Sequence, residues 1–183
     1  YYWNSGIFVW RAATILDALR ERQPEMLKHL QTIVDAWDTK DGAAVFNRDW
    51  FIEPLLQGQD KLSGLHGNTH VAQACGLARY ALATGDARTG QAAETFWKLL
   101  VNEHSFAIGG NSFDEKLRAA RTEVAGSGDS ALSPKTAETC NTHNVLKLSR
   151  HLFQREPRAD YADYCELALY NHIRATIAPD SGH

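Results

Sequence analysis

Pro24-Glu25-Met26-Leu27-Lys28-His29-Leu30-Gln31-Thr32-Ile33-Val34-Asp35-Ala36-Trp37 sets Leu27, Leu30, Ile33, Val34 and Trp37 at the spacing that gathers apolar side chains on one face of an α-helix. Pro24 opens the run, where its missing N–H costs nothing. Upstream, Ala12, Ile15, Leu16 and Leu19 repeat the period, so the two stretches read as a helix pair. The period returns from about Thr69 to Ala83, and Thr84-Gly85-Asp86 ends that helix with a glycine able to take the left-handed conformation. It returns again near Gly90 to Glu103, Asn141 to Gln154 and Pro157 to Ile177. Trp50 to Leu56, followed by Gly58-Gln59-Asp60, reads as a short segment closed by loop chemistry after a turn-rich patch at Asp38 to Gly42. A strand is expected only at Tyr2 to Trp10. The expected fold class is mainly α, built of helical hairpins with a short strand at the N-terminus.

A chain of 183 residues can bury one sizeable core. Nineteen basic and 22 acidic residues leave a formal charge of -3, and no Lys/Arg stripe could track a phosphate backbone, so nucleic acid is excluded as the expected partner. No apolar run reaches the length of about 18 residues that spans a bilayer, which points to a soluble chain and no membrane partner. The three cysteines, Cys75, Cys140 and Cys165, fit reduced thiols or a metal ligand better than a disulfide framework, and so favour a cytoplasmic setting. The chain starts at Tyr1 with no leader pattern, and this reads as a cut amino end.

From Ser105 to about Pro134 the helical period stops, and Gly109-Gly110-Asn111-Ser112 and Gly126-Ser127-Gly128-Asp129-Ser130 mark long irregular loops. Long loops in a compact helical domain are more often functional than not. Three candidate sites lie in or near them. Glu138 and Cys140 put a carboxylate and a thiol, both good zinc ligands, two positions apart just before a helical run. On a helix such a pair points apart, so sharing an ion requires an extended or irregular segment, and two more ligands must come from elsewhere. The plain alternative is a helix-initiating Glu and a small buried Cys. Glu115, after the glycine turn, suits the general acid/base of glycosidic cleavage, with Asp114 as competitor and a solvated Asp114-Glu115-Lys116 cluster as the alternative. His66 and His70 bracket Gly67-Asn68-Thr69 at the spacing of a zinc-protease helix, but the Glu that motif uses as base is absent. A cleft rich in His, Asn and Thr suits hydroxyl-bearing ligands instead, and packing of one His in a satisfied turn is the alternative.

Read in order, Gly64-Leu65-His66-Gly67-Asn68-Thr69, Thr84-Gly85-Asp86, Phe96-Trp97, Gly109-Gly110-Asn111-Ser112 with Glu115, Glu138-Thr139-Cys140-Asn141-Thr142, Leu146-Lys147-Leu148 and Tyr161-Ala162-Asp163-Tyr164 with Glu166 and Leu169-Tyr170-Asn171-His172 resemble the beta-L-arabinofuranosidase family, glycoside hydrolase family 127. The resemblance covers residues from about 46 to 183. It implies an (α/α)6 barrel, incomplete here, that removes beta-L-arabinofuranosyl units with retention through a cysteine nucleophile on zinc. It further implies Glu115 as general acid/base, Glu138 and Cys140 as metal ligands, zinc as cofactor, and His66 and Glu166, with His70 beside them, lining a pocket for L-arabinofuranose or a related sugar. In that family two adjacent cysteines, one of them the nucleophile, lie beyond the Tyr-Asn-His segment, and this chain ends at His183 before reaching them. Cys75 and Cys165 do not match those positions and are expected to be structural.

Tyr2-Trp3-Asn4-Ser5-Gly6-Ile7-Phe8-Val9-Trp10-Arg11-Ala12, with Leu16, Leu19 and Pro24, resembles instead the mannose-1-phosphate guanylyltransferases. The domain reading is therefore residues 1–43 as a nucleotidyltransferase-like fragment and 44–183 as a partial glycoside hydrolase catalytic domain, with a join between Asp38 and Phe46. The leading function is a glycosidase without its nucleophile, inactive as it stands if nothing replaces that group. The alternatives are a sugar nucleotidyltransferase fragment and a non-catalytic helical carbohydrate-binding module. An interrupted barrel leaves apolar helix faces bare, so self-association is expected.

Overall fold

The computed structural model describes residues 12–36, 49–122 and 135–177. The chain divides into two compact units, Tyr1–Arg48 and Asp49–His183. In the first, α1 (Ala12–Arg22) and α2 (Pro24–Ala36) form the expected pair and touch each other, with Pro24 as the first residue of α2. The strand expected at Tyr2 to Trp10, the turn patch at Asp38 to Gly42 and the join lie outside the described residues.

The second unit contains α3 (Asp49–Leu56), α4 (Gly67–Thr84), α5 (Ala87–Glu103), α6 (Thr139–Arg155) and α7 (Ala159–Ala168). Helix α3 occupies the segment expected to be short and loop-closed. Pro54 inside it removes one backbone donor, but Phe51, Ile52 and Leu55 are buried, and that burial outweighs the loss over so short a helix. Val71, Ala74, Ala78 and Ala81 give α4 a buried face of small side chains, which lets it pack against both α5 and α6. The turn between α4 and α5 follows the expectation: Gly85 sits at φ 77, where a Cβ would be strained, and Asp86 caps α5 by accepting from the Thr89 N–H at 2.8 Å.

Phe96, Trp97 and Leu100 from α5, Val145, Leu148 and Leu152 from α6, and Tyr161 and Tyr164 from α7 complete the core. Each such side chain contributes about 1.5–3 kcal/mol when fully buried. Trp97 meets Tyr161 and Tyr164 edge-on at ring-centroid distances of 4.7 and 5.9 Å, and its indole N–H donates to Ser149 Oγ at 2.8 Å, so its polar atom is satisfied inside the core.

The last helix departs from the expected run to Ile177. It stops being α-helical at Ala168, widens into a π-helical turn (Leu169–Ile173) and closes with a 3-10 turn (Arg174–Thr176). The wider turn buries His172 and leaves Leu169 and Tyr170 exposed, and single π turns often mark functional positions. Among the described residues the structure is helical with isolated bridges and no strand, and no helix is long and apolar enough to cross a membrane.

Candidate active site

The site begins with two glycines. At φ 87, Gly109 turns the chain so closely against α7 that a Cβ there would stand 2.8 Å from Ala168 Cβ and 2.9 Å from its Cα. Tyr164 holds this turn by donating its hydroxyl to the Gly109 carbonyl at 2.8 Å. The next residue, Gly110, faces Ala137 and His172, and a Cβ would lie 2.7 Å from Ala137 Cβ and 2.9 Å from the His172 ring. The chain then passes inward through Asn111 and Ser112, both buried, and Asn141 of α6 donates its side-chain amide to the Asn111 side-chain oxygen.

Phe113 to Lys116 forms the tight turn that carries Asp114 and Glu115, closed by Phe113 N–H to the Lys116 carbonyl at 2.8 Å. This turn is fastened to the start of α4: the Gly67 N–H donates to the Glu115 carbonyl at 2.8 Å and the Leu117 N–H to the Leu65 carbonyl at 2.9 Å. It is fastened equally to the segment before α6, with the Asp114 N–H donating to the Lys135 carbonyl at 2.9 Å and the Ala137 N–H to the Ser112 carbonyl at 3.0 Å. Ser112, Asp114 and Glu115 have φ of 76, 49 and 66, and Ala137 has φ 55. Four non-glycine residues in left-handed backbone around one turn is strain of the kind that concentrates at functional sites.

The two starts of helices bring candidate groups to this turn. His66 caps α4 through Nδ1, which accepts from the Thr69 N–H at 3.4 Å and leaves Nε2 for a second partner. That nitrogen faces Glu115 Oε2 at 3.5 Å. Asp114, the competitor, is taken by Lys135, whose Nζ lies 2.9 Å from its Oδ1. The hydrogen bond and charge of Lys135 hold the Asp114 carboxyl below its ordinary range, which makes it a poorer proton donor. Glu115 is exposed, and its carboxylate stands beside the His66 ring.

Glu138 and Cys140 fall at the amino end of α6. Glu138 is the extended cap residue, at φ -61 and ψ 135, and its carboxylate makes no capping bond; Cys140 is exposed in the first turn. The thiol is thus neither deeply buried nor paired, unlike the plain alternative of a small core cysteine. In kind the pair suits zinc. In number it falls short: among the described residues no three His, Cys, Asp or Glu side chains converge on one point, so they do not complete a zinc site.

The remaining candidates separate. His70 turns into the core, its ring 5.8 Å from Trp50 and 5.4 Å from Phe51, and its Nδ1 donates to the His66 carbonyl at 2.8 Å. Glu166 is exposed on α7, and no hydrogen bond or ion pair joins it to His66, Glu115, Glu138 or Cys140 among the described residues. Cys75 is half-buried and donates to the Asn144 carbonyl at 3.4 Å; burial pushes its thiol up to about 11. Burial also raises Cys165. Both are poor sources of thiolate. Asn141, Thr142, Asn111 and His172 bind the parts of the site together without having been singled out individually, although each lies inside a quoted motif.

The beta-L-arabinofuranosidase GH127 catalytic domain matches residues 17–183. The chain belongs to this family. The GH127 match begins inside residues 1–43, the segment expected to be a nucleotidyltransferase-like fragment. A GH127 beta-L-arabinofuranosidase from Geobacillus stearothermophilus T6 has a similar fold, with a TM-score of 0.53 and 24% identity over 64% of this chain. The matched region spans 18% of that chain. Comparison with curated proteins gave no match.

Proposed function

We propose that this GH127 chain carries the acid/base half of a retaining beta-L-arabinofuranosidase centre. The observation that supports it most is the pairing of His66 Nε2 with Glu115 Oε2 at 3.5 Å on a turn whose backbone is held left-handed between two helix starts. As a cysteine sulfur bonds to the anomeric carbon and the bond to the glycosidic oxygen breaks, Glu115 protonates that oxygen, and in the second step the same carboxylate takes a proton from the water that displaces the sulfur. His66, whose Nε2 stands 3.5 Å from one carboxylate oxygen of Glu115, helps to orient that carboxyl. Glu138 and Cys140 would supply two ligands to a zinc ion, whose chemistry when bound would be to hold a cysteine as thiolate. His70 acts behind His66 by fixing its carbonyl, and Glu166 contacts the sugar away from the reacting atoms.

The free thiols support a cytoplasmic setting, and the bare Leu167, Leu169, Tyr170 and Ile177 side chains support self-association. The family match from residue 17 onward favours the glycosidase over the nucleotidyltransferase fragment. The test is titration of methyl beta-L-arabinofuranoside into the 15N-labelled chain. Amide shifts confined to residues 64–70, 111–117 and 138–142, and lost in Glu115→Gln together with His66→Ala, are expected. Shifts produced by GTP or mannose 1-phosphate but not by the arabinoside would overturn the reading.

A further inference from the structure

We infer that His172 is a positioning residue that clamps the Ala137–Thr142 segment and so sets where Glu138 and Cys140 stand. The imidazole is buried at the inside of the π-helical turn. Its Nδ1 lies 2.9 Å from Thr142 Oγ1, two residues after Cys140, and the ring packs over Gly110 beside Ala137, one residue before Glu138. One side chain therefore grips both ends of the six-residue stretch that contains the two groups. The stretch needs such a grip: Ala137 is held at φ 55, a conformation that an alanine leaves when nothing opposes it.

Two more features act through the same ring. Gly110 leaves the space that the imidazole fills, since a Cβ at that position would come within 2.9 Å of it. The π turn supplies the register, because an α-helical continuation past Ala168 would carry residue 172 to a different angle about the axis. Glycine, π turn, histidine and left-handed alanine thus form one device. Its output is the separation of the Glu138 carboxylate and the Cys140 thiol.

The inference shares the importance of Glu138 and Cys140 with the proposed function, but its test needs neither zinc nor sugar. Amide hydrogen exchange of residues 137–142 and the alkylation rate of Cys140 by iodoacetamide are measured in the 183-residue chain and in His172→Ala, His172→Asn and Thr142→Val. Exchange and alkylation at least about fivefold faster in His172→Ala, recovered toward the parent in His172→Asn, with α4 and α5 core amides unchanged, is the expected result. Thr142→Val removes one grip without touching the ring and gives a smaller change of the same sign, which keeps the test open if His172→Ala does not fold. Parent-like exchange and alkylation in Thr142→Val and in whichever His172 variants fold overturns the inference. Failure of the parent to bind zinc or arabinoside would sink the proposed function and leave this one standing.

Discussion

At Glu115, the proposed acid/base, the side chain sits on a backbone that its own Cβ disfavours, φ 66. Glycine takes that conformation freely and alanine does not, a difference of about 1 kcal/mol. Glu115→Gly is therefore expected to be more stable than Glu115→Ala by about that amount in urea unfolding, while both lose the acid. Equal midpoints would mean that the turn is not strained. His172 gives a second prediction. Burial penalises its charged form and lowers its pKa from 6.5, and the bond to the Ala137 backbone opposes this only in part. As pH falls, the unfolded chain takes up this proton before the folded one does. The contribution to stability is thus complete above about pH 6.5 and is lost as pH falls from there toward the folded value. The parent should lose more stability than His172→Asn between pH 7.5 and 5.5, and parallel profiles would refute the assignment. Glu115 was legible in the sequence as a carboxylate after a glycine turn. The ion pair of Asp114 with Lys135 was not, because Lys135 reaches it across the loop and nothing in the spacing announces that pair.

The helices were legible where apolar residues repeat, and the Gly85–Asp86 corner was legible because its two residues each have one strong local use. Two elements were not. Trp50 to Leu56 reads only as a short segment closed by loop chemistry, yet three buried side chains keep α3 helical across Pro54. The π turn left no mark in the periodicity, since it depends on contacts with a distant loop: Ala168 abuts Gly109 and His172 abuts Gly110. Loop and helix end are in this sense one element. Gly110→Ala forces a methyl to 2.7 Å from Ala137 Cβ and 2.9 Å from the imidazole, neither of which can swing away from its backbone freely. Overpacking of this kind costs about 1–3 kcal/mol. The expected result is a loss of that size in the unfolding free energy. By contrast Gly76→Ala, inside α4 with nothing within 4 Å of the added carbon, should stabilise by about 0.5–1 kcal/mol. If the two variants melt alike, the close packing of the turn on the helix end is wrong.

For the whole molecule, the family was legible because many individually weak motifs occur in one order, whereas the convergence of His66, Glu115 and the start of α6 depends on the fold. Two consequences for metal binding follow from the donor count. Glu138 and Cys140 stand together at one helix start, but no third His, Cys, Asp or Glu joins them among the described residues. A complete structural zinc site yields about 10–16 kcal/mol, and it does so because four donors replace most of the hydration shell. Half that donor set, with solvent in the remaining positions, corresponds to about 5–8 kcal/mol, or a dissociation constant that is micromolar or weaker. Calorimetric titration of the chain with zinc should therefore show weak binding that falls with decreasing pH, as protons compete for the thiol, and that disappears in Cys140→Ser combined with Glu138→Gln. Stoichiometric nanomolar binding would require donors beyond these two to reach the ion. Binding that survives the double variant would place the metal elsewhere on the chain.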